Sequence, residues 1–244
     1  MEDLLDGLKR LKLRHTRDCV DEYCRIAAAR DMSFYDFLKM VVNEEITARE
    51  ETQRIKRIRN AKLPGQKTLA EFDFSFQPSV PKREILELET LRFMESHENV
   101  VLLGPPGLGK THIAAALAYE AAVQGKEVLF TTAQDLIDSL YAAMADGTVK
   151  QKLRSLGKLD LIVIDELGYL PMDDTAGNHL FQLVSNAYER QSLIVTSNRP
   201  FEEWGALFPN PSLASATLDR LLHHVSVFTF SGESYRMKGV NASL

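Results

Sequence analysis

The sequence predicts an α/β protein: a five-stranded parallel sheet flanked by helices, preceded by a small all-helical N-terminal domain. Three observations carry this. From residue 100 onward, short apolar runs alternate with helical patterns. The first 63 residues show helical periodicity alone. Residues 104–111 read GPPGLGKT directly after the apolar run Val100-Val101-Leu102-Leu103, so a glycine-rich turn joins a buried strand to a helix.

The N-terminal domain, residues 1–63, should hold three helices. Leu4, Leu5, Leu8, Leu11 and Leu13 form the stripe of the first. Val20, Tyr23, Ile26 and Ala27 mark a second over Arg17 to Arg30. Ser33 followed by Asp36 resembles a capping box that opens the third. Phe34, Phe37, Leu38, Val41 and Val42 give that helix its apolar face, and it runs on to Pro64-Gly65. Residues 64–80 read as a linker in which Phe72, Phe74 and Phe76 alternate, as in an extended half-buried segment. Residues 81–244 form the α/β domain. Pro81 opens a helix carrying Ile85, Leu88 and Leu91. The strands expected are Val100–Leu103, Glu127–Thr131, Leu161–Asp165, Leu193–Thr196 and Val225–Phe230. Helical patterns cover Lys110–Gln124, Ala133–Ala145 with Val149–Leu156, Asn178–Arg190 and Leu213–His223. The strands are nearly continuous in apolar residues, which predicts burial on both faces.

Composition narrows the function classes. Hydrophobic residues at 45% and charged residues at 26% describe an ordinary globular chain. No stretch approaches the ~20 apolar residues of a membrane span. The opening MEDLLDGLKRLKLRH is charged throughout and lacks the apolar region of a secretory signal, so a cytoplasmic protein is expected. Cys19 and Cys24 suit a reducing compartment and lack a second ligand pair for a metal. His223-His224 reads as structural. The net charge of −5 argues against a uniformly basic nucleic-acid binder. The distribution is uneven: 14 Lys and Arg against 12 Asp and Glu over residues 1–63, and 15 against 22 beyond them. Arg54 to Lys62 is a dense basic run, either a solvated helix face or a patch for phosphate backbones.

GPPGLGKT matches G-x-x-x-x-G-K-[ST], a loop whose backbone N–H groups cradle phosphates. Lys110 can reach the β- and γ-phosphates, and Thr111 can present its hydroxyl to Mg²⁺. The helix that starts here turns its positive end toward the anion. The third strand ends in Asp165-Glu166. Asp165 can hold Mg²⁺ through water, and Glu166 can orient or deprotonate an attacking water. The fourth strand ends in Asn198, placed for the γ-phosphate or the lytic water. It is also compatible with a plain turn before Pro200. Spacing alone leaves Arg220 and Arg236 either as surface ion-pair partners or as guanidinium groups for transition-state charge.

With these residues in view, the chain resembles the AAA+ ATPases, and within them the IstB-like transposition helper proteins, relatives of the DnaC-type helicase loaders. GPPGLGKTHIAAALA, LIVIDELGYLP, IVTSNRPFEEW, LDRLLHH and GESYRMK follow the order of that family. The resemblance implies that Gly104, Pro105, Pro106, Gly107, Leu108, Gly109, Lys110, Thr111 and His112 form the Walker A segment that binds ATP. It implies that Asp165 and Glu166 are Walker B, with Thr111 and Asp165 serving Mg²⁺, and that Asn198 is sensor 1. Arg220 would be an arginine finger acting on ATP held by a neighbouring subunit, and Arg236 would stand where a sensor 2 arginine is expected. The implied protein is an ATPase that assembles on double-stranded DNA as an ATP-regulated homo-oligomer with composite ATP sites and recruits and stimulates a transposase. The segment Met144–Lys158, with Lys150, Lys152, Arg154 and Lys158, is a second DNA-contact candidate beside Arg54–Lys62.

A helicase loader of the DnaC type is the alternative, sharing the site and differing in its client. A metabolite kinase would need an acceptor site and a lid, and Glu166 beside Asp165 suits water activation instead. A non-enzymatic DNA scaffold would not need every one of these positions filled.

Overall fold

A computed structural model describes residues 2–168 and 172–235. The chain divides into two compact units, residues 1–56 and 57–244. The first contains α1 (Glu2–Arg10), α2 (Arg14–Ala29) and most of α3 (Phe34–Asn60). Ser33 opens α3 as its sequence indicates: the Asp36 amide donates to Ser33 Oγ at 3.1 Å.

This unit buries little apolar area, and a carboxylate stands near its centre. Glu45 is 5% exposed. Its Oε2 accepts from the Thr16 amide at 2.8 Å and the Thr16 hydroxyl at 3.0 Å. Arg49 Nε donates to Oε1 at 2.8 Å, while Arg49 Nη2 donates to the Lys12 carbonyl at 2.8 Å. Burial alone would push the Glu45 pKa up. Thr16 and Arg49 together outweigh it and hold the carboxyl below its ordinary value. A carboxyl lowered by folding stabilises above its unfolded pKa, and that stabilisation is lost as pH falls through the folded value. Glu45→Ala is therefore expected to cost this unit about 1–3 kcal/mol, read as faster amide exchange in α2. In the unsubstituted protein the same amides should lose protection as pH drops below about 4.5.

The apolar stripe expected on α3 divides. Phe37 and Val41 are half-buried, while Phe34, Leu38, Val42 and Ile46, spaced four apart, lie exposed.

The second unit runs through a 3-10 turn at Leu69–Glu71, α4 (Lys82–Leu88), α5 (Arg92–Glu95), β1 (Asn99–Leu103), α6 (Lys110–Val123), β2 (Val128–Thr132), α7 (Ala133–Ala145), α8 (Val149–Leu156), β3 (Leu161–Leu167), α9 (Asp174–Ala187), β4 (Ser192–Ser197), α10 (Pro211–Leu222) and β5 (Val225–Thr229). The five strands form one parallel sheet in the order β2-β3-β4-β1-β5. Alternate β1 residues face opposite cores. Val100 and Leu102 pack with α6, whereas Val101 and Leu103 pack with α7, α9 and α10. Helix α6 sits deep enough that Ile113 to Ala118 are all buried, so it lacks a polar stripe.

Burial on both faces holds for β1 and β4, and for β3 up to Asp165. It does not hold for β2 and β5, where Val227 is 42% exposed. These two are the sheet's edges, and strand order is not written in the local pattern. Two helices begin earlier than their apolar periodicity suggests. Asp173 accepts from the Ala176 amide at 2.8 Å and starts α9 at Asp174. Asn210 accepts from the Leu213 amide at 2.8 Å, and Pro211 occupies the first turn of α10.

Strand register brings the polar strand ends together. Leu103 pairs with Ser197 of β4, and Thr132 pairs with Asp165 of β3. The carboxyl ends of β1, β3 and β4 thus open onto one edge of the sheet, where ligands bind in such folds.

Candidate functional site

A cleft of about 1150 Å³ opens at this edge. One side is the turn Pro106–His112, which leaves β1 and becomes α6. The floor holds Glu166, Thr196, Ser197 and Asn198. The far wall is the connector, with Pro64, Gln66, Lys67, Glu71, Phe72, Asp73, Phe76 and Gln77, together with Tyr235. The volume suits a nucleotide.

The turn is built for close approach. Gly109 adopts φ +92° as the residue before α6, and the Phe72 ring lies where its Cβ would stand. Gly104, with φ +136°, passes against the Phe230 carbonyl in the same way. The Tyr235 amide donates to the Gly107 carbonyl at 2.9 Å. Leu108 is buried, so only its backbone can meet a phosphate. Lys110 Nζ donates to the Gly104 carbonyl at 2.6 Å and the Pro105 carbonyl at 2.8 Å, which holds the ammonium over the turn. This cradle of glycines, amides and a cation at a helix start fits a triphosphate.

Thr111 and Asp165 come together across the sheet: the Thr111 hydroxyl donates to Asp165 Oδ1 at 3.0 Å. Asp165 is 5% exposed. A hydroxyl and a carboxylate oxygen in this relation match the hard-oxygen donor set that Mg²⁺ takes when it is also bound by phosphates. The same Oδ1 accepts from Thr196 Oγ1 at 2.5 Å, and Thr196 Oγ1 accepts from the Glu166 amide at 3.0 Å. Thr196 thereby ties the two carboxylate residues to β4. The sequence gives it no signal beyond a threonine within an apolar strand.

Glu166 is the one exposed residue of β3 and has φ +60°. A left-handed glutamate is uncommon and costs energy. It coincides with a register irregularity between Ile164 and Leu167, which turns the carboxylate out of the alternation and into the cleft. Asn198 lies exposed at the cleft floor, one residue past β4.

The His112 ring hydrogen-bonds the Thr68 carbonyl at 2.9 Å and meets Phe72 edge-on at 5.5 Å. It fastens the connector to the start of α6 while lining the cleft. Phe72 and Phe74 pack on the core around α6, so the alternating phenylalanines belong to the α/β unit.

Arg220 is not among the cleft residues. It lies on α10, its Nη1 donating to the Ala216 carbonyl at 2.8 Å and its guanidinium 5.2 Å from the Phe181 ring centroid. Arg236 lies outside the described residues, as do Tyr169, Leu170 and Pro171 of the LGYLP segment. His223 and His224 are both exposed just past α10, with His223 Nδ1 3.1 Å from the Tyr188 hydroxyl. Of the basic run, Arg57 is engaged in the fold, donating through Nε to the Ala122 carbonyl near the end of α6 at 3.2 Å. Lys150 and Arg154 are exposed on α8, beside its buried Leu153 and Leu156.

The family model for the IstB-like ATP binding protein matches residues 6–243. The chain belongs to this family. It is 40% identical over 238 residues to the ATP-binding protein of insertion sequence IS21 from Pseudomonas aeruginosa, covering 98% of this chain and 90% of that one. It is 42% identical over 212 residues to the ATP-binding protein of insertion sequence IS5376 from Geobacillus stearothermophilus, covering 87% and 84%. The fold is also similar to the crystal structure of the DnaC helicase loader, with TM-score 0.53 and 19% identity over 72% of this chain and 99% of that one. At that identity the likeness speaks to fold alone. The IstB-like chain is thus an ATP-binding protein of AAA+ architecture, and no helix among its described residues is long and apolar enough to cross a membrane.

Proposed function

We propose that this protein is an ATP-hydrolysing helper of DNA transposition. It assembles on double-stranded DNA as a homo-oligomer whose ATP sites are shared between neighbours, and it recruits and stimulates a transposase. The observation that carries the reading is the division of the chemistry. Lys110, Thr111, Asp165, Glu166 and Asn198 converge at one sheet edge, while Arg220 stands on α10 away from the cleft. Among the described residues no arginine lines the cleft, and a second copy can supply the one that neutralises transition-state charge. Gly104 to His112 hold ATP, Thr111 and Asp165 hold Mg²⁺, Glu166 positions the attacking water and Asn198 senses the γ-phosphate. Arg236 is assigned as the sensor 2 residue. The names of the insertion-sequence relatives support the transposition setting.

Transposase docking is assigned to the N-terminal unit, where Phe34, Leu38, Val42 and Ile46 present an exposed apolar stripe. DNA contact is assigned to the basic segment of α3 and to α8. Replacing Arg54, Lys56 and Arg59 with glutamine, and leaving Arg57 to its Ala122 carbonyl, tests this. Affinity for duplex DNA across a salt series should show a log–log slope shallower by about 0.9 for each phosphate no longer neutralised. An unchanged slope places the DNA elsewhere on the protein.

A further inference from the structure

Gln77 is the one side chain in the cleft wall whose burial and hydrogen bonding do not match. It is 2% exposed, and its amide Nε2 is buried with no hydrogen-bond partner among the described residues. A buried amide donor left without an acceptor is costly, so Gln77 calls for a partner that the described residues do not supply. Its orientation is set locally. The Ser231 amide donates to Ser79 Oγ at 3.1 Å, which leaves the Ser79 proton to point at Gln77 Oε1, 3.4 Å away. Oε1 is therefore the satisfied end, and the unpaired group is a donor. Phe76 and Tyr235 meet edge-on at 5.1 Å beside it and line the same cleft. The phosphate cradle faces this wall from Pro106–Thr111, so a triphosphate held there directs its base toward aromatic surface and an unsatisfied N–H.

We propose that Gln77 is the base-reading residue of the ATP site, its amide N–H donating to the purine N1. Adenine presents a lone pair at N1. Guanine presents an N1–H, which would set donor against donor and leave both unpaired. Gln77 would thus select adenine over guanine while Lys110 and the glycine turn hold the triphosphate of either. The inference rests on the nucleotide assignment of the cleft, and the experiment separates the two.

Equilibrium binding of fluorescent ATP, with GTP and 1-deaza-ATP as competitors, is measured for the unsubstituted protein and for Gln77→Leu. Thermal unfolding without nucleotide is recorded in parallel. The unsubstituted protein should prefer ATP to 1-deaza-ATP and to GTP by about 5- to 10-fold. Gln77→Leu should lose about that factor for ATP and bind ATP and 1-deaza-ATP equally. Its unfolding temperature without nucleotide should change little, because leucine removes an unpaired donor together with only one long hydrogen bond, that from Ser79 Oγ at 3.4 Å. An undiminished 1-deaza penalty in Gln77→Leu, or unchanged ATP affinity, overturns the proposal. So does lost ATP affinity accompanied by a lowered unfolding temperature, which would make Gln77 a packing residue. Failure of the unsubstituted protein to bind any triphosphate would instead overturn the nucleotide assignment itself.

Discussion

Glu166→Gln should lower ATP turnover by about 100-fold or more while leaving ATP binding intact. The glutamate is the exposed carboxylate at the cleft floor, and its left-handed backbone aims it there. Glutamine keeps the size and can still hydrogen-bond, but it cannot accept a proton from water or carry the charge that orients it. In the proposed site, binding is assigned to different groups: the glycine turn, Lys110 and the Thr111–Asp165 pair. The variant should therefore accumulate in an ATP-bound, DNA-bound assembly. Steady-state phosphate release and nucleotide retention on a filter separate the two effects. Turnover at the unsubstituted rate would remove Glu166 from the chemistry.

Arg220→Ala should be as severe for a different reason. If Arg220 completes a neighbour's site, its loss costs about 10³-fold or more in turnover, although its own subunit's cleft is intact. The signature is complementation. Arg220→Ala supplies a good Glu166 and no arginine, and Glu166→Gln supplies a good arginine and no Glu166. Mixed in equal amounts, the two inactive proteins should recover a substantial fraction of the unsubstituted activity at the interfaces that combine their sound halves. An arginine acting only on ATP in its own subunit would leave the mixture as inactive as its components.

Much of the fold and site is legible in the sequence because it is local. The strands lie within one or two residues of their apolar runs. The phosphate turn and Asp165-Glu166 are readable because each depends on fixed spacing beside a strand. The features that escape a sequence reading depend on distant pairings. Thr196 looks like any strand threonine until β3 and β4 are in register, and only then does its hydroxyl meet both Asp165 and Glu166. Gln77 looks like linker until Ser231 and Ser79 orient it against the cleft. The exposure of β2 and β5 depends on strand order, which no window of sequence contains. The early start of α9 is hidden because the turn after Asp173 is polar and its cap, not an apolar stripe, announces it.

In the proposed assembly one molecule's ATP is completed by another molecule's arginine. Cryo-electron microscopy of the protein on duplex DNA with a non-hydrolysable ATP analogue tests it most directly. Arg220 should be withdrawn from the Phe181 ring and hydrogen-bonded to the γ-phosphate of the adjacent subunit. Arg220 still stacked on its own Phe181, or turned to solvent with no neighbouring nucleotide in reach, would contradict it.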